Sequence, residues 1–236
     1  MLSFLFPPVC PLCGKTILEK GQRVCDLCSK EKIFITGPVC YSCGKPLKGP
    51  ESEYCDDCKK YPKNFNGSIG LCIYKDPVRK SLAAIKYKNK RIFARYYLEE
   101  IRKRKIRELK ALHADVVVPV PLYYRKKRQR GFNQAEIFAE GIGKMLGCPV
   151  EKNIVKRRIN TKPQKILDPE SRKKNLMEAF TGNREAYRKA GCPKKILVVD
   201  DIYTTGATAQ GVTAALKTLG VKEVYIFCIA IGEGNS

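Results

Sequence analysis

The chain of 236 residues is poor in acidic side chains, carrying 23 Asp and Glu against 46 Lys and Arg, and it holds a single histidine. Nor does it contain an apolar run of the roughly 20 residues that a membrane-spanning helix needs, so no transmembrane segment is expected. Leu2, Phe4, Leu5 and Phe6 make a short apolar start, but no basic stretch precedes them and Pro7-Pro8 interrupts at once. They read as packing residues and not as an export signal. His113 sits near a helix end without a partner in view and is read as structural. The shortage of acids leaves a formal charge of +23, which attracts polyanions and favours a nucleic-acid partner over a basic surface kept for solubility alone.

What is present is unevenly distributed. At 44% hydrophobic and 29% charged the chain has the means to build a core, and its length suits one α/β domain plus a smaller unit. Residues 1–64 hold eight of the twelve cysteines, few periodic apolar runs and turn pairs such as Gly37-Pro38 and Gly49-Pro50. Such a segment cannot close a core unaided. The texture changes after Tyr61-Pro62-Lys63-Asn64, and the boundary is placed there, giving units at 1–64 and 65–236.

The eight cysteines form four Cys-x-x-Cys pairs, Cys10/Cys13, Cys25/Cys28, Cys40/Cys43 and Cys55/Cys58, each starting fifteen residues after the last, as in a duplicated unit. In Cys10-Pro-Leu-Cys13-Gly14 and Cys40-Tyr-Ser-Cys43-Gly44 the glycine relieves a tight turn and lets backbone amides approach thiolate sulfur, the form of a zinc knuckle. Disulfides and an iron–sulfur cluster are the alternatives, and zinc is preferred because no export signal favours the first and paired knuckles argue against the second. Two structural zinc ions in a double zinc ribbon are expected. Sequential pairing is the simplest arrangement and a cross-braced one stays open. Two tetrathiolate sites would bring the net charge to roughly +19. Removing the metal is expected to unfold this module without melting the larger unit, since structural zinc supplies the folding energy of a small module. Cys72, Cys148, Cys192 and Cys228 lie apart and read as small core residues.

Beyond the boundary, hydrophobic periodicity predicts a strand over 68–74, a helix over 77–88, a long basic helix over 92–112, a strand over 115–120 and a helix over 133–146. A strand at 196–199, a helix from 207 to 219 ending at Gly220 and a strand over 223–231 complete a doubly wound parallel sheet.

The stretch with the most chemistry is Ile196-Leu-Val-Val-Asp200-Asp201-Ile-Tyr-Thr204-Thr205-Gly206-Ala207-Thr208. A strand ends at a sheet crevice, two adjacent acids can accept hydrogen bonds from vicinal ribose hydroxyls directly or through magnesium, and amides of Thr204–Thr208 at a helix start can surround a phosphate. The segment resembles the signature of the type I phosphoribosyltransferases. By that resemblance the larger unit has their fold, Asp200 and Asp201 face ribose as the catalytic acids, and Thr204, Thr205, Gly206, Ala207 and Thr208 bind the 5-phosphate of phosphoribosyl diphosphate with Mg²⁺. The loop Pro121–Arg130 would grip diphosphate through Arg125, Lys126 and Arg130, and the segment 155–175, rich in Lys and Arg, would be the mobile lid.

Val118-Pro-Val-Pro-Leu122, Arg130-Gly-Phe-Asn-Gln134, Thr161-Lys-Pro-Gln164 and Arg172-Lys-Lys-Asn175 recur in this order in ComF-type proteins, and the cysteine module fits them too. The resemblance implies a cytoplasmic competence protein needed for natural transformation that handles incoming single-stranded DNA, with other competence proteins as further partners. Tyr123, Tyr124, Arg128, Arg157 and Arg158 are the candidate nucleic-acid contacts, the tyrosines as stacking rings beside cations. Phe132 is a further ring of this kind, although core packing is its commoner use. The alternative is an active phosphoribosyltransferase acting on a nucleobase or another nitrogen acceptor. Against a purine-salvage role, Thr204 stands where several purine enzymes of that fold place an acid, and no nucleobase hood is recognisable.

Overall fold

The computed structural model describes residues 8–17, 19, 21–158 and 179–232. In chain order the elements are α1 (Asp26–Ser29), α2 (Asp56–Lys60), β1 (Gly67–Ile73), α3 (Val78–Lys88), α4 (Phe93–Arg104), α5 (Ile106–Ala111), β2 (Val116–Pro119) and α6 (Tyr124–Arg130). They continue with α7 (Gln134–Leu146), β3 (Val155–Arg157), β4 (Phe180–Gly182), α8 (Arg184–Lys189), β5 (Lys195–Tyr203), α9 (Ala207–Lys217) and β6 (Glu223–Ile231).

The four longer strands form one sheet in the order β1-β6-β5-β2, every pair parallel. Parallel strands need crossovers, and the helices between them cover both faces, so the strands are buried on either side and read as near-continuous apolar runs. Val118, Ile196, Val198, Val224 and Ile226 face one core with Val212 and Leu216 of α9. Val117, Leu197, Val199, Phe227 and Ile229 face the other, with Tyr97 and Ile101 of α4 and Phe138 and Ile142 of α7. This is the expected doubly wound arrangement, a mixed α/β fold. Cys72 and Cys228 are fully buried in it, while Cys148 and Cys192 are only half-buried.

Two expectations are corrected. The long helix over 92–112 is two helices, because the backbone leaves the helical region at Lys105 (φ −125, ψ −5). The run of cations before the break lies in the last turn of α4, where the negative end of the helix dipole favours it, and Lys103 and Arg104 both donate to Glu100 at 2.8 Å. The second concerns α6, which occupies the stretch read as an open diphosphate loop. Its Arg, Lys and Gln are good helix formers, and Gly131 at φ +77 ends it. The small antiparallel pair β3-β4 lies outside the main sheet.

The cysteine module is built onto the sheet. Its midpoint, Ile33 to Ile35, runs antiparallel along the outer strand: the Ile35 amide donates to the Leu71 carbonyl at 2.9 Å, and the Ile73 amide to that of Ile33 at 2.8 Å. A sheet edge that would otherwise present unpaired groups is thereby covered. Phe34, between them, lies under the Arg104 guanidinium at 3.7 Å. The two halves of the module join opposite cores: Cys10, Leu12, Ile17 and Cys28 pack with Leu71 and Val78, whereas Cys40, Cys43 and Cys58 pack with Phe65 and Tyr203. These shared cores remove the physical basis for expecting the module to unfold alone. Among the described residues no helix is long and apolar enough to cross a membrane.

Candidate functional site

Two four-cysteine clusters hold the module together, and each draws on consecutive pairs: Cys10, Cys13, Cys25 and Cys28 in the first, Cys40, Cys43, Cys55 and Cys58 in the second. The arrangement is therefore sequential. Cys13 and Cys25 place their sulfurs 3.6 Å apart, as do Cys43 and Cys55. Four sulfurs about 2.3 Å from a zinc ion stand about 3.8 Å from one another, so the spacing fits tetrahedral zinc and is far too long for a disulfide. In both knuckles the glycine amide donates to the first cysteine's carbonyl, Gly14 to Cys10 and Gly44 to Cys40, each at 2.8 Å. The glycines reach this turn at φ +78 and +70.

The donor set calls for a cation. Burial pushes up the thiols of Cys28 and Cys58, the latter to about 11, and the neighbouring Cys40 together with burial does the same to Cys43. The Cys28 backbone amide instead draws Cys25 down to about 7. A divalent ion relieves this conflict by letting all four sulfurs ionise. Beside the second cluster, the buried Lys45 bonds Asp57 at 2.5 Å. Burial lowers the ammonium, but Asp57, Cys43 and Cys55 together hold it above its ordinary range, which places a fixed positive charge next to the four thiols.

The second site lies where β5 outruns its neighbour. β2 ends opposite Val199, with the Val120 amide bonding the Val199 carbonyl at 2.9 Å, and β5 continues through Asp200 and Asp201 to Tyr203. Ligands of open α/β sheets bind in such crevices at the carboxyl ends of strands. Asp201 is 5% exposed, and its Oδ2 accepts from Gln134 Nε2 at 2.9 Å and meets Lys86 Nζ at 3.7 Å. Asp200 accepts from the Asp201 amide at 2.8 Å. Burial, and then the charge of Asp201, hold its carboxyl well above the usual range. Two carboxylates so placed are hard oxygen donors suited to Mg²⁺. The chain then turns through exposed Thr204 and Thr205 to Gly206, the N-cap of α9 at φ +79. A Cβ at Gly206 would strike the Tyr203 hydroxyl. A cavity of ≈ 130 Å³ opens here, lined by Asp200 and the whole turn from Thr204 to Thr208.

Cations converge on the acids from three elements. In α6, Lys126 and Arg130 stand four residues apart and so share a helix face. Arg130 Nη1 donates to Gln134 Oε1 at 3.0 Å, which links it through Gln134 to Asp201. Burial lowers the Lys126 ammonium, and the charges of Arg157, Arg130 and Lys86 lower it further, which marks these four as one cluster. Burial likewise lowers Arg157 on β3 while Asp200 partly restores it. Arg125 takes another direction, its Nε donating to the Tyr124 hydroxyl at 2.9 Å. Tyr123 and Tyr124 lie against each other at 4.7 Å, and Arg128 and Arg158 are exposed. Phe132 is 8% exposed.

The motif from Arg130 to Gln134 can be read residue by residue. Gly131 ends α6, Phe132 enters the core, and Asn133 caps α7 by accepting from the Ala135 amide while donating to the Val120 carbonyl at 2.9 Å. Gln134 then reaches Asp201. Lys86 and Tyr87 were not among the sequence candidates; the helical reading of 77–88 placed them at a helix end but carried no signal that α3 points into the crevice. The lid candidates Lys162, Lys165, Arg172, Lys173 and Lys174, with the Thr161–Gln164 and Arg172–Asn175 motifs, lie outside the described residues, as does the apolar start.

Comparison with known proteins agrees with this architecture. The double zinc ribbon domain family matches residues 1–59. Competence protein F of Haemophilus influenzae is 34% identical over 130 residues, 53% of this chain and 56% of the relative. Competence protein ComFC of Streptococcus pneumoniae is 32% identical over 142 residues, 59% and 55% of the two chains. DNA utilization protein YhgH of Escherichia coli is 32% identical over 115 residues, 49% and 48%. The chain is a homologue of the competence protein F and ComFC proteins over about half its length, with a double zinc ribbon at its N-terminus, and it spans about half the length of the curated relatives it matches.

Proposed function

We propose that the crevice binds phosphoribosyl diphosphate with Mg²⁺ and that the protein, a cytoplasmic competence factor working with other competence proteins, handles incoming single-stranded DNA. The observation that carries the first half is the conjunction of an acid pair, a small polar turn opening a helix and four cations at one strand end. In this reading Asp200 and Asp201 receive the ribose hydroxyls or the metal shell, the amides of Thr204 to Thr208 take the 5-phosphate, and Lys86, Lys126, Arg130 and Arg157 face the diphosphate. Mg²⁺ would neutralise diphosphate charge. Of the candidates of the sequence, Arg130 reaches Asp201 through Gln134, Arg157 feels the charge of Asp200 and Lys126 clusters with both cations, whereas Arg125, Arg128 and Arg158 are left for the outer surface.

Support for the DNA half comes from the net charge of +23 and from relatives named for competence and DNA utilization. Eight thiols gathered in two four-cysteine clusters of metal-ligand spacing suit a reducing compartment. The phosphoribosyltransferase-type unit begins at residue 65, after the zinc module of residues 1–64, although the two share cores. Titration calorimetry with phosphoribosyl diphosphate and Mg²⁺ tests the reading, and absence of binding removes it; diphosphate release on adding a nucleobase would convert it to the transferase alternative.

A further inference from the structure

The end of α3 and the turn joining it to α4 are exposed without interruption from Tyr87 to Ile92. Within this stretch Lys88, Lys90 and Arg91 are positive and no residue is acidic. Neither Lys88 nor Lys90 has an acidic partner among the described residues. Tyr87 is 72% exposed, more than any other large apolar or aromatic side chain described. A solvated basic turn needs no such ring.

The turn is also fixed in place. Arg130 lies over the Tyr87 ring at 5.2 Å, and Arg91 lies over the Phe132 ring at 4.5 Å, so each of the two segments lends one ring and one guanidinium to the other. Both are cation–π contacts, and they tie this segment to the end of α6. The clasp sets Tyr87 directly beside the crevice, because the preceding residue, Lys86, touches Asp201. Tyr124 is 60% exposed as well, but its ring lies against that of Tyr123 at 4.7 Å, and Phe132 is buried.

We propose that this turn is a docking surface for single-stranded DNA, with an unpaired base stacked on Tyr87 and the flanking phosphates held by Lys88 and Lys90. An exposed ring can stack on the free face of an unpaired base, which a base inside a duplex does not present, and two uncompensated ammonium groups beside it match the repeating charge of a strand. The inference rests on the DNA half of the proposed function and is independent of the sugar-diphosphate half.

The test is binding of the zinc-loaded 236-residue chain to a fluorescent 20-nucleotide oligo-dT at several salt concentrations, with a duplex of equal length alongside. Tyr87→Ala is expected to weaken the oligo-dT complex about tenfold with the salt slope unchanged, and Tyr87→Phe to retain wild-type affinity. Lys88→Ala with Lys90→Ala is expected to flatten the slope by about 1.4, two contacts at roughly 0.7 each for a single strand. Wild-type affinity and slope in these variants, or a duplex bound as tightly as the single strand, would overturn the docking surface while leaving DNA handling in place. A wild-type protein that binds no oligo-dT overturns both. Phosphoribosyl diphosphate binding, measured separately, decides the other half.

Discussion

Gln134 donates its side-chain amide to Asp201 at 2.9 Å across 67 positions of sequence, and its oxygen accepts from Arg130 at 3.0 Å. One neutral residue thus fixes an acid and a base at the same crevice. Gln134→Leu leaves a buried carboxylate without its donor, a loss of about 1.5–3 kcal/mol for a bond to a charged group. We expect phosphoribosyl diphosphate affinity to fall at least tenfold with circular dichroism unchanged, as measured by calorimetry.

Asp200 is held at a cost in stability at neutral pH. Burial and the neighbouring Asp201 hold its folded-state carboxyl above its ordinary value. For an acid shifted upward, the unfolded state releases its proton first, so the stability contribution is complete below the unfolded value of about 3.9 and is lost as pH rises through the higher folded one. Asp200→Asn should therefore raise the melting temperature at neutral pH, by about 2–4 °C for each 1 kcal/mol relieved, and the gain should vanish near pH 4. Calorimetric scans of both proteins at pH 4 and pH 7.5, without Mg²⁺, provide the check.

Zinc removal should reach the sheet. The second cluster packs with Phe65 and Tyr203, and the ring of Tyr203 stands edge-on to that of Phe65 at 6.4 Å and backs Gly206. Chelation is expected to release two zinc ions per chain and to lower the melting temperature of the whole protein. Cys43→Ser, at a site 1% exposed, should cost more stability than Cys13→Ser at an exposed one. A melt of the sheet that ignores chelation would contradict the shared core.

Around Gly206 two substitutions should diverge. Gly206→Ala imposes a side chain at φ +79 against the Tyr203 hydroxyl and is expected to destabilise by at least about 1 kcal/mol. Tyr203→Phe removes a buried hydroxyl that has no hydrogen-bond partner among the described residues, so thermal denaturation should find it neutral or slightly stabilising.

Local pattern in the sequence carried most of the fold. The apolar runs at 115–120 and 196–199 announced buried parallel strands, and fixed Cys-x-x-Cys spacing announced the four-cysteine clusters. What local pattern could not convey was assembly. Nothing in the spacing of Ile33, Phe34 and Ile35 says that they will cover the β1 edge, since that depends on the strand order of a sheet formed far downstream. The stretch from Tyr124 to Arg130 was expected to be a loop because it follows the first core strand, where the resemblance places a diphosphate grip; helix formation puts Lys126 and Arg130 on one face and turns Arg125 away. Lys86 looked like the end of an ordinary amphipathic helix, and only the packing of α3 brings it to Asp201.

In the proposed function, the acid pair and the turn after it form a phosphoribosyl diphosphate site. Calorimetry of phosphoribosyl diphosphate with Mg²⁺, on wild-type protein and on the Asp200→Asn, Asp201→Asn double variant, tests it most directly. Saturable binding by the wild type and none by a folded double variant is the predicted result, and equal affinity in the two proteins would contradict the account.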